Sequence, residues 1–166
     1  MLKKILDTVA KMGFLLRGDP PQGSEREIVP WRWGEAREGW SVSAKAAKEA
    51  FAKDETAAIY VALRNESERD ATLRAPDWPF LFRMRTLAAD GREAALTPYG
   101  RAALREDAGR AQRDITLGPG QWASAELPMG AFYETTEPGQ YQTEVWAHFG
   151  ELELHAPPVI WRRLAS

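Results

Sequence analysis

The sequence predicts an all-β fold, an antiparallel β-sandwich, preceded by a short amphipathic helix. Two observations carry that prediction. Short runs alternate apolar and polar residues, the period-two pattern of strands with one face in a core. Gly, Pro, Asn and Asp punctuate these runs at close intervals, and no long helical period occurs between them. The clearest run is residues 56–65, TAAIYVALRN, where Ile59, Val61 and Leu63 point one way and Tyr60, Ala62 and Arg64 the other.

Composition bounds the function classes. The 166 residues suffice for one good core, and the formal net charge of −2 gives no general pull towards nucleic acid. There is no cysteine, which excludes disulfides and thiolate metal sites and fits a reducing compartment. A cytoplasmic location is therefore expected, with export or a peripheral membrane position as alternatives. No apolar run approaches the roughly 20 residues that span a bilayer. Arginines crowd residues 83–113, whereas residues 121–160 hold Glu126, Glu134, Glu137, Glu144, Glu151 and Glu153 and no Lys or Arg. Two solvated faces attracting each other across a sheet is the simpler explanation, and head-to-tail assembly of polar molecules the sharper one.

The N-terminal unit is residues 1–30. Over residues 1–17, Leu2, Ile5, Leu6, Val9, Met12 and Leu16 share one helical face, with Lys3, Lys4, Asp7 and Lys11 elsewhere. Asp7 and Lys11 interrupt any apolar signal-peptide core. The stripe is expected to fold back on its own domain, to bind a protein partner or a second copy, or to lie on an anionic membrane surface. Residues 18–30, GDPPQGSEREIVP, read as a linker, since Pro20-Pro21 forbids helix.

The β-domain is residues 31–166. Trp31 and Trp33 alternate as on an edge strand or an extended arm, and Trp40, Val42 and Ala44 alternate in the first regular strand. Residues 46–52 are expected to turn the chain, with Phe51 as a buried plug. Strands follow at 71–75 and 79–87, then a hairpin turn at Ala89-Asp90-Gly91 and a returning strand at 92–97. Residues 98–112 form the longest irregular connection, with a short helical turn expected at 101–105. Strands at 114–117 and 121–127 flank the turn Gly118-Pro119-Gly120. Residues 128–134 cross one end of the sandwich, with Phe132 and Tyr133 closing the core. Tyr141, Val145 and Phe149 face inward on the strand 141–149, while Gln142, Glu144, Trp146 and His148 face out. A last hairpin strand is expected at 151–155, bounded by Pro157-Pro158.

Three phrases combine into a resemblance: Val61-Ala62-Leu63-Arg64-Asn65-Glu66-Ser67, Leu117-Gly118-Pro119-Gly120, and Gly139-Gln140-Tyr141. In that order and spacing they resemble bacterial immunoglobulin-like β-sandwich domains. More narrowly they are similar to the intracellular proteinase inhibitor (BsuPI-type) group, where an Asp-Gly turn such as Asp90-Gly91 also lies mid-domain. The resemblance covers about residues 40–154 and implies a fold and a tyrosine corner at Tyr141. These residues build turns and corners and carry no inhibitory activity over.

Chemical motifs are sparse. His148 and His155 lie near Glu144, Glu151 and Glu153, and solvated histidines on an acidic face are expected there rather than a zinc site. No serine sits in G-x-S-x-G, and Gly118-Pro119-Gly120 lacks the Lys and helix of a phosphate loop. No catalytic residue, metal or cofactor is expected. The leading expectation is a non-enzymatic protein-binding or assembly module, acting through Leu2, Ile5, Leu6, Val9, Met12 and Leu16. One alternative is a cytoplasmic protease inhibitor presenting residues 98–112, with Arg101 or Arg105 offered to a trypsin-like pocket. Another is a carbohydrate-binding module stacking sugars on Trp31, Trp33, Trp40 or Trp146, which burial of those rings would remove.

Overall fold

A computed structural model of the chain describes residues 15–16, 29–76, 81–104 and 112–166. It is mostly β, in antiparallel and mixed sheets. The strands in chain order are β1 (Leu15–Leu16), β2 (Trp40–Ala46), β3 (Ala50–Phe51), β4 (Ala58–Asn65), β5 (Ala71–Pro76) and β6 (Phe82–Ala88). Then come β7 (Gln112–Leu117), β8 (Trp122–Pro128), β9 (Gly139–Phe149), β10 (Leu152–His155) and β11 (Val159–Arg163). Among the described residues two short helices, α1 (Pro98–Ala103) and α2 (Met129–Phe132), lie between strands.

The first sheet has the order β1-β8-β4-β2 and is antiparallel throughout. β4 is central: Val61 lies between Ala44 of β2 and Ala125 of β8. The second sheet is built on β9, the longest strand. β6 pairs along one edge of β9, while β11 and then β10 share the other. Ala156 to Pro158 separate β10 from β11 because proline cannot extend the ladder. β3 pairs with β11 in parallel, which makes this sheet mixed. β5 and β7 form a separate two-stranded ribbon.

The two main sheets meet through β2, which packs against β9, β10 and β11. Val42, Ile59, Leu63 and Leu127 from the first sheet and Phe82, Val145, Leu154 and Trp161 from the second join one buried cluster. Their alternation along each strand is what forces this arrangement, since each sheet has one apolar face to bury. Phe51 is buried edge-on against Trp161, as a plug should be.

The corner expected at Tyr141 is present: the residue is buried and its hydroxyl donates 2.8 Å to the Glu137 carbonyl. Its ring stacks on Trp161 at 4.7 Å. Phe132 and Tyr133 are buried, and the Tyr133 hydroxyl donates 2.6 Å to the Met84 carbonyl. Burial pushes the Tyr133 phenol well above its usual range.

Several expectations are corrected. Leu16 lies in strand β1, opposite Ala123, and not on a helix; a strand pairing with β8 outcompetes local helical propensity at that position. The rest of the helix expected over 1–17, with Leu2, Ile5, Leu6, Val9 and Met12, lies outside the described residues. Residues 92–97 are not a regular strand. They make only the isolated bridges Leu87–Glu93 and Leu96–Tyr133, and then Thr97 caps α1 by accepting 2.9 Å from the Gly100 amide. Within residues 128–134 the connection takes a helical turn, α2, which adds detail to the expected crossing and does not overturn it.

Candidate interaction surface

The outer face of the first sheet carries the most built polar and aromatic arrangement among the described residues. Period two places Lys45 and Ser43 of β2, Arg64, Ala62 and Tyr60 of β4, and Trp122, Ser124 and Glu126 of β8 on that face. In a bare sheet these would be solvated, yet Ser41, Ser43 and Ala62 are fully buried. The cover is the arm ahead of β2. Trp33 bridges Ser43, the Gly34 amide donates 2.9 Å to the Val42 carbonyl, and the Ser43 hydroxyl donates 2.6 Å to the Arg32 carbonyl.

The arm brings its two indoles onto the face. Trp31 and Trp33 stack at 6.0 Å, and Trp33 meets Trp122 edge-on at 6.5 Å. Two cations lie against them: Lys45 Nζ is 4.4 Å from the Trp31 ring centre, and the Arg64 guanidinium is 4.3 Å from that of Trp33. Such contacts strengthen as they lose water. Lys45 also donates 2.9 Å to the Val29 carbonyl, and burial holds its amine below the usual lysine range. Arg64 is held by Glu66 through a 2.7 Å bond from Nε and a 2.5 Å pair from the guanidinium terminus. The Ser41 hydroxyl donates to the same carboxylate oxygen. Burial pushes the Glu66 carboxyl up, but Ser41 and Arg64 together outweigh it and hold it below its ordinary range. At the far end, burial and then Glu126 raise the Tyr60 phenol.

The residues that sequence reading singled out are scattered. Arg101 is exposed on α1, and its guanidinium donates 2.7 Å to the Leu96 carbonyl. Arg105 lies outside the described residues. His155 pairs with Glu153 at 2.6 Å and stacks on Trp146 at 6.0 Å, while His148 stands opposite Glu153 on the neighbouring strand. No group of three metal-ligating side chains occurs among the described residues. No described helix is long and apolar enough to cross a membrane. Of the four tryptophans named as a stacking platform, Trp40 is buried, and Trp31, Trp33 and Trp146 are half-buried with rings already engaged. Sequence reading missed Lys45, Arg64, Glu66 and Trp122. The only signal was outward parity on strands for Lys45, Arg64 and Trp122 and a turn position for Glu66, and neither announces a covering arm.

Fold and face together define a β-rich domain of sandwich type. No family model matches the chain. No curated protein matches it. Solved structures similar to it include a β-glucosidase from Erythrobacter marinus, 13% identical over 75% of this chain and 15% of that one, with a TM-score of 0.41. A β-glucosidase from Listeria innocua in complex with glucose is 15% identical over 91% of this chain and 21% of its own, with a TM-score of 0.40. Self-complemented MyfA, the major subunit of Myf fimbriae from Yersinia enterocolitica, is 15% identical over 74% of this chain and 98% of its own, with a TM-score of 0.34. The chain thus spans about a fifth or less of the β-glucosidase chains.

Proposed function

We propose that the chain is a non-enzymatic protein-binding or assembly module on an immunoglobulin-like β-sandwich. The fold assignment is supported by β2, β4 and β8 in one sheet facing β6, β9 and β11 in the other, and by the Tyr141 corner. The observation that carries the function is the half-buried layer of Trp33, Trp122 and Arg64 on the outer face of the first sheet. Trp and Arg dominate the energetics of protein interfaces because they offer large, stiff contact area with few mobile bonds. Here their rotamers are already fixed by stacking and by Glu66, so a partner would order little on binding. The N-terminal stretch is the second contact in this reading, with a protein or a second copy as partner and the cytoplasm as the setting. The inhibitor alternative has less support, because Arg101 sits in a helical turn and protease clefts take extended strands. The carbohydrate alternative has less support, because a sugar would have to displace the ring and cation contacts of Trp31 and Trp33.

Affinity capture with the full-length chain, Trp122→Ala and Arg64→Ala, each checked by circular dichroism, tests the proposal. A protein retained by the native chain and lost by both folded variants is the expected result. Equal capture by all three, or capture of nothing, overturns it.

A further inference from the structure

The turn that closes β6 holds a reactive backbone step. Residues 89–91 form a hairpin loop: the Gly91 amide donates 2.9 Å to the Ala88 carbonyl, and the Ala88 amide donates 2.8 Å to the Arg92 carbonyl. Gly91 has a φ of 81°, the left-handed setting that ends a loop of this length. The residue before it serves the loop through its side chain, since Asp90 Oδ1 accepts 2.9 Å from the Arg92 amide. Turn geometry therefore selects Asp followed by Gly. That pair is also the one that cyclises most readily, because glycine has no Cβ to keep its nitrogen away from the preceding carboxyl. Asp90-Gly91 is the only Asp-Gly step in the sequence, and no Asn-Gly step occurs.

The folded loop holds this reaction back. Both carboxyl oxygens are engaged, Oδ1 by the Arg92 amide and Oδ2 by Arg92 Nε at 2.6 Å. The nitrogen that would attack is engaged too, with its hydrogen on the Ala88 carbonyl. The Arg92 side chain, and then its amide, hold the Asp90 carboxyl below its ordinary range and away from the protonated form that can lose water. The loop is nonetheless in solvent. The Asp90 side chain is 47% exposed, and nothing lies within 4 Å of a Cβ built on Gly91. Opening it breaks a few exposed hydrogen bonds and no core packing.

We propose that Asp90-Gly91 is an isoaspartate-forming site, guarded by Arg92, whose conversion uncovers the edge of β6. The proposal goes beyond the binding reading and does not depend on it. The Gly91 nitrogen bonds to Asp90 Cγ, and one carboxyl oxygen leaves as water, taking the amide proton and the carboxyl proton. Water then opens the resulting imide. Attack at the main-chain carbonyl of residue 90 leaves the chain running through the former side chain, so no oxidant or further reactant is needed. The conversion adds one atom to the backbone of a loop whose length sets the register of its arms. The bonds that cover the β6 edge, between Ala88 and Arg92 and from the Ala94 amide to the Thr86 carbonyl at 2.8 Å, then no longer close together.

The full-length chain is aged at physiological temperature and neutral pH, folded and in urea, beside folded Arg92→Ala and Asp90→Glu. Peptide mapping with electron-transfer fragmentation distinguishes isoaspartate from aspartate at residue 90, and intact mass shows the imide as one water lost. Slow conversion is expected in the folded chain and the fastest in urea. Arg92→Ala, shown by its melting curve to be folded, should convert about two- to fivefold faster than the native chain, the rate equivalent of an exposed ion pair. Asp90→Glu, whose longer side chain closes a less favourable ring, should stay unconverted. Folded and unfolded chains converting equally fast, an Arg92→Ala rate equal to the native one, or no isoaspartate at residue 90 in urea overturns the guarded site. Hydrogen exchange of the aged chain reads the consequence: the Ala88 and Ala94 amides should lose protection, and retained protection overturns the uncovering of β6.

Discussion

The side-chain amide of Asn65 donates 2.9 Å to the carbonyl of Leu117, 52 residues further along the chain. The same nitrogen reaches the carbonyls of Arg69 at 2.7 Å and Gly118 at 3.1 Å, while its oxygen accepts from the Ser67 amide and hydroxyl. The main chain joins in: the Asn65 amide donates to Gln121 and its carbonyl accepts from Gly120. One fully buried side chain thus ties the turn after β4 to the turn between β7 and β8. Removing it strands the Leu117 carbonyl in a buried setting and leaves those of Arg69 and Gly118 part-buried. An unmet group costs about 1–3 kcal/mol when fully desolvated and less when water reaches it. Asn65→Ala is expected to lower stability by about 2–4 kcal/mol. Asn65→Asp should be at least as costly, since a carboxylate would face those carbonyls. Urea denaturation midpoints check both, and a change below about 1 kcal/mol would show that the two turns hold without the staple.

Tyr141→Phe deletes only the hydroxyl that donates to Glu137. The stacked ring remains on Trp161, so the expected loss is the bond and its orphaned acceptor, about 1–2 kcal/mol. An unchanged denaturation midpoint would mean that water replaces the hydroxyl without cost.

Gly34→Ala should be severe. A Cβ there would fall 1.8 Å from the His155 carbonyl oxygen, a backbone atom of β10 that cannot swing away. The arm would have to lift, exposing Ser43 and loosening Trp33 from Arg64. Gly130→Ala is the contrast, since nothing lies within 4 Å of its Cβ and it sits in the helical turn α2. A melting temperature lowered by Gly34→Ala and kept or raised by Gly130→Ala is expected. Enhanced Trp fluorescence quenching by acrylamide in Gly34→Ala would locate the damage in the arm.

Glu66 sets an acid dependence. Its folded carboxyl lies below the ordinary range, so the stability it contributes is complete above the unfolded value of about 4.3. That contribution is lost as pH falls through the lower folded value. Glu66→Gln should therefore reduce stability at neutral pH and flatten its decline below about pH 4. The exposed carboxyls of Glu55 and Asp90 are also held low, by Lys48 and Arg92, but solvent screens such pairs. Melting curves between pH 3 and pH 7 check the difference; parallel curves for the two proteins would remove Glu66 from the account.

Much of the fold was legible because strand parity is a local property. Ile59, Val61 and Leu63 on β4, and Tyr141, Val145 and Phe149 on β9, declare their inward face by alternation alone, and all six are buried. Phe51, Phe132 and Tyr133 were legible as plugs because large apolar side chains between strands have nowhere else to go. Less could be read where a segment's partner lies far along the chain. Residues 92–97 follow a hairpin turn and read as its returning strand, yet only Glu93 and Leu96 find bridges. Arg101 carries an obvious charge, but its helical setting follows from the Thr97 cap and the close approach of Gly100 to Phe132.

By itself, the sequence determined which faces are apolar, where the chain turns and that no thiol chemistry is available, because each depends on residue type and local spacing. Only the tertiary structure decided that an arm covers the outer face of β2 and β4, burying Ser43 and Ala62 and pairing Trp33 with Arg64. It also decided that Leu16 joins β8 as a strand, that β3 runs parallel to β11, and that Asn65 closes on Leu117. These are contacts between segments far apart in the chain. Their stability comes from ladder bonds, ring stacking and burial that exist only once the partners meet, so no local pattern encodes them.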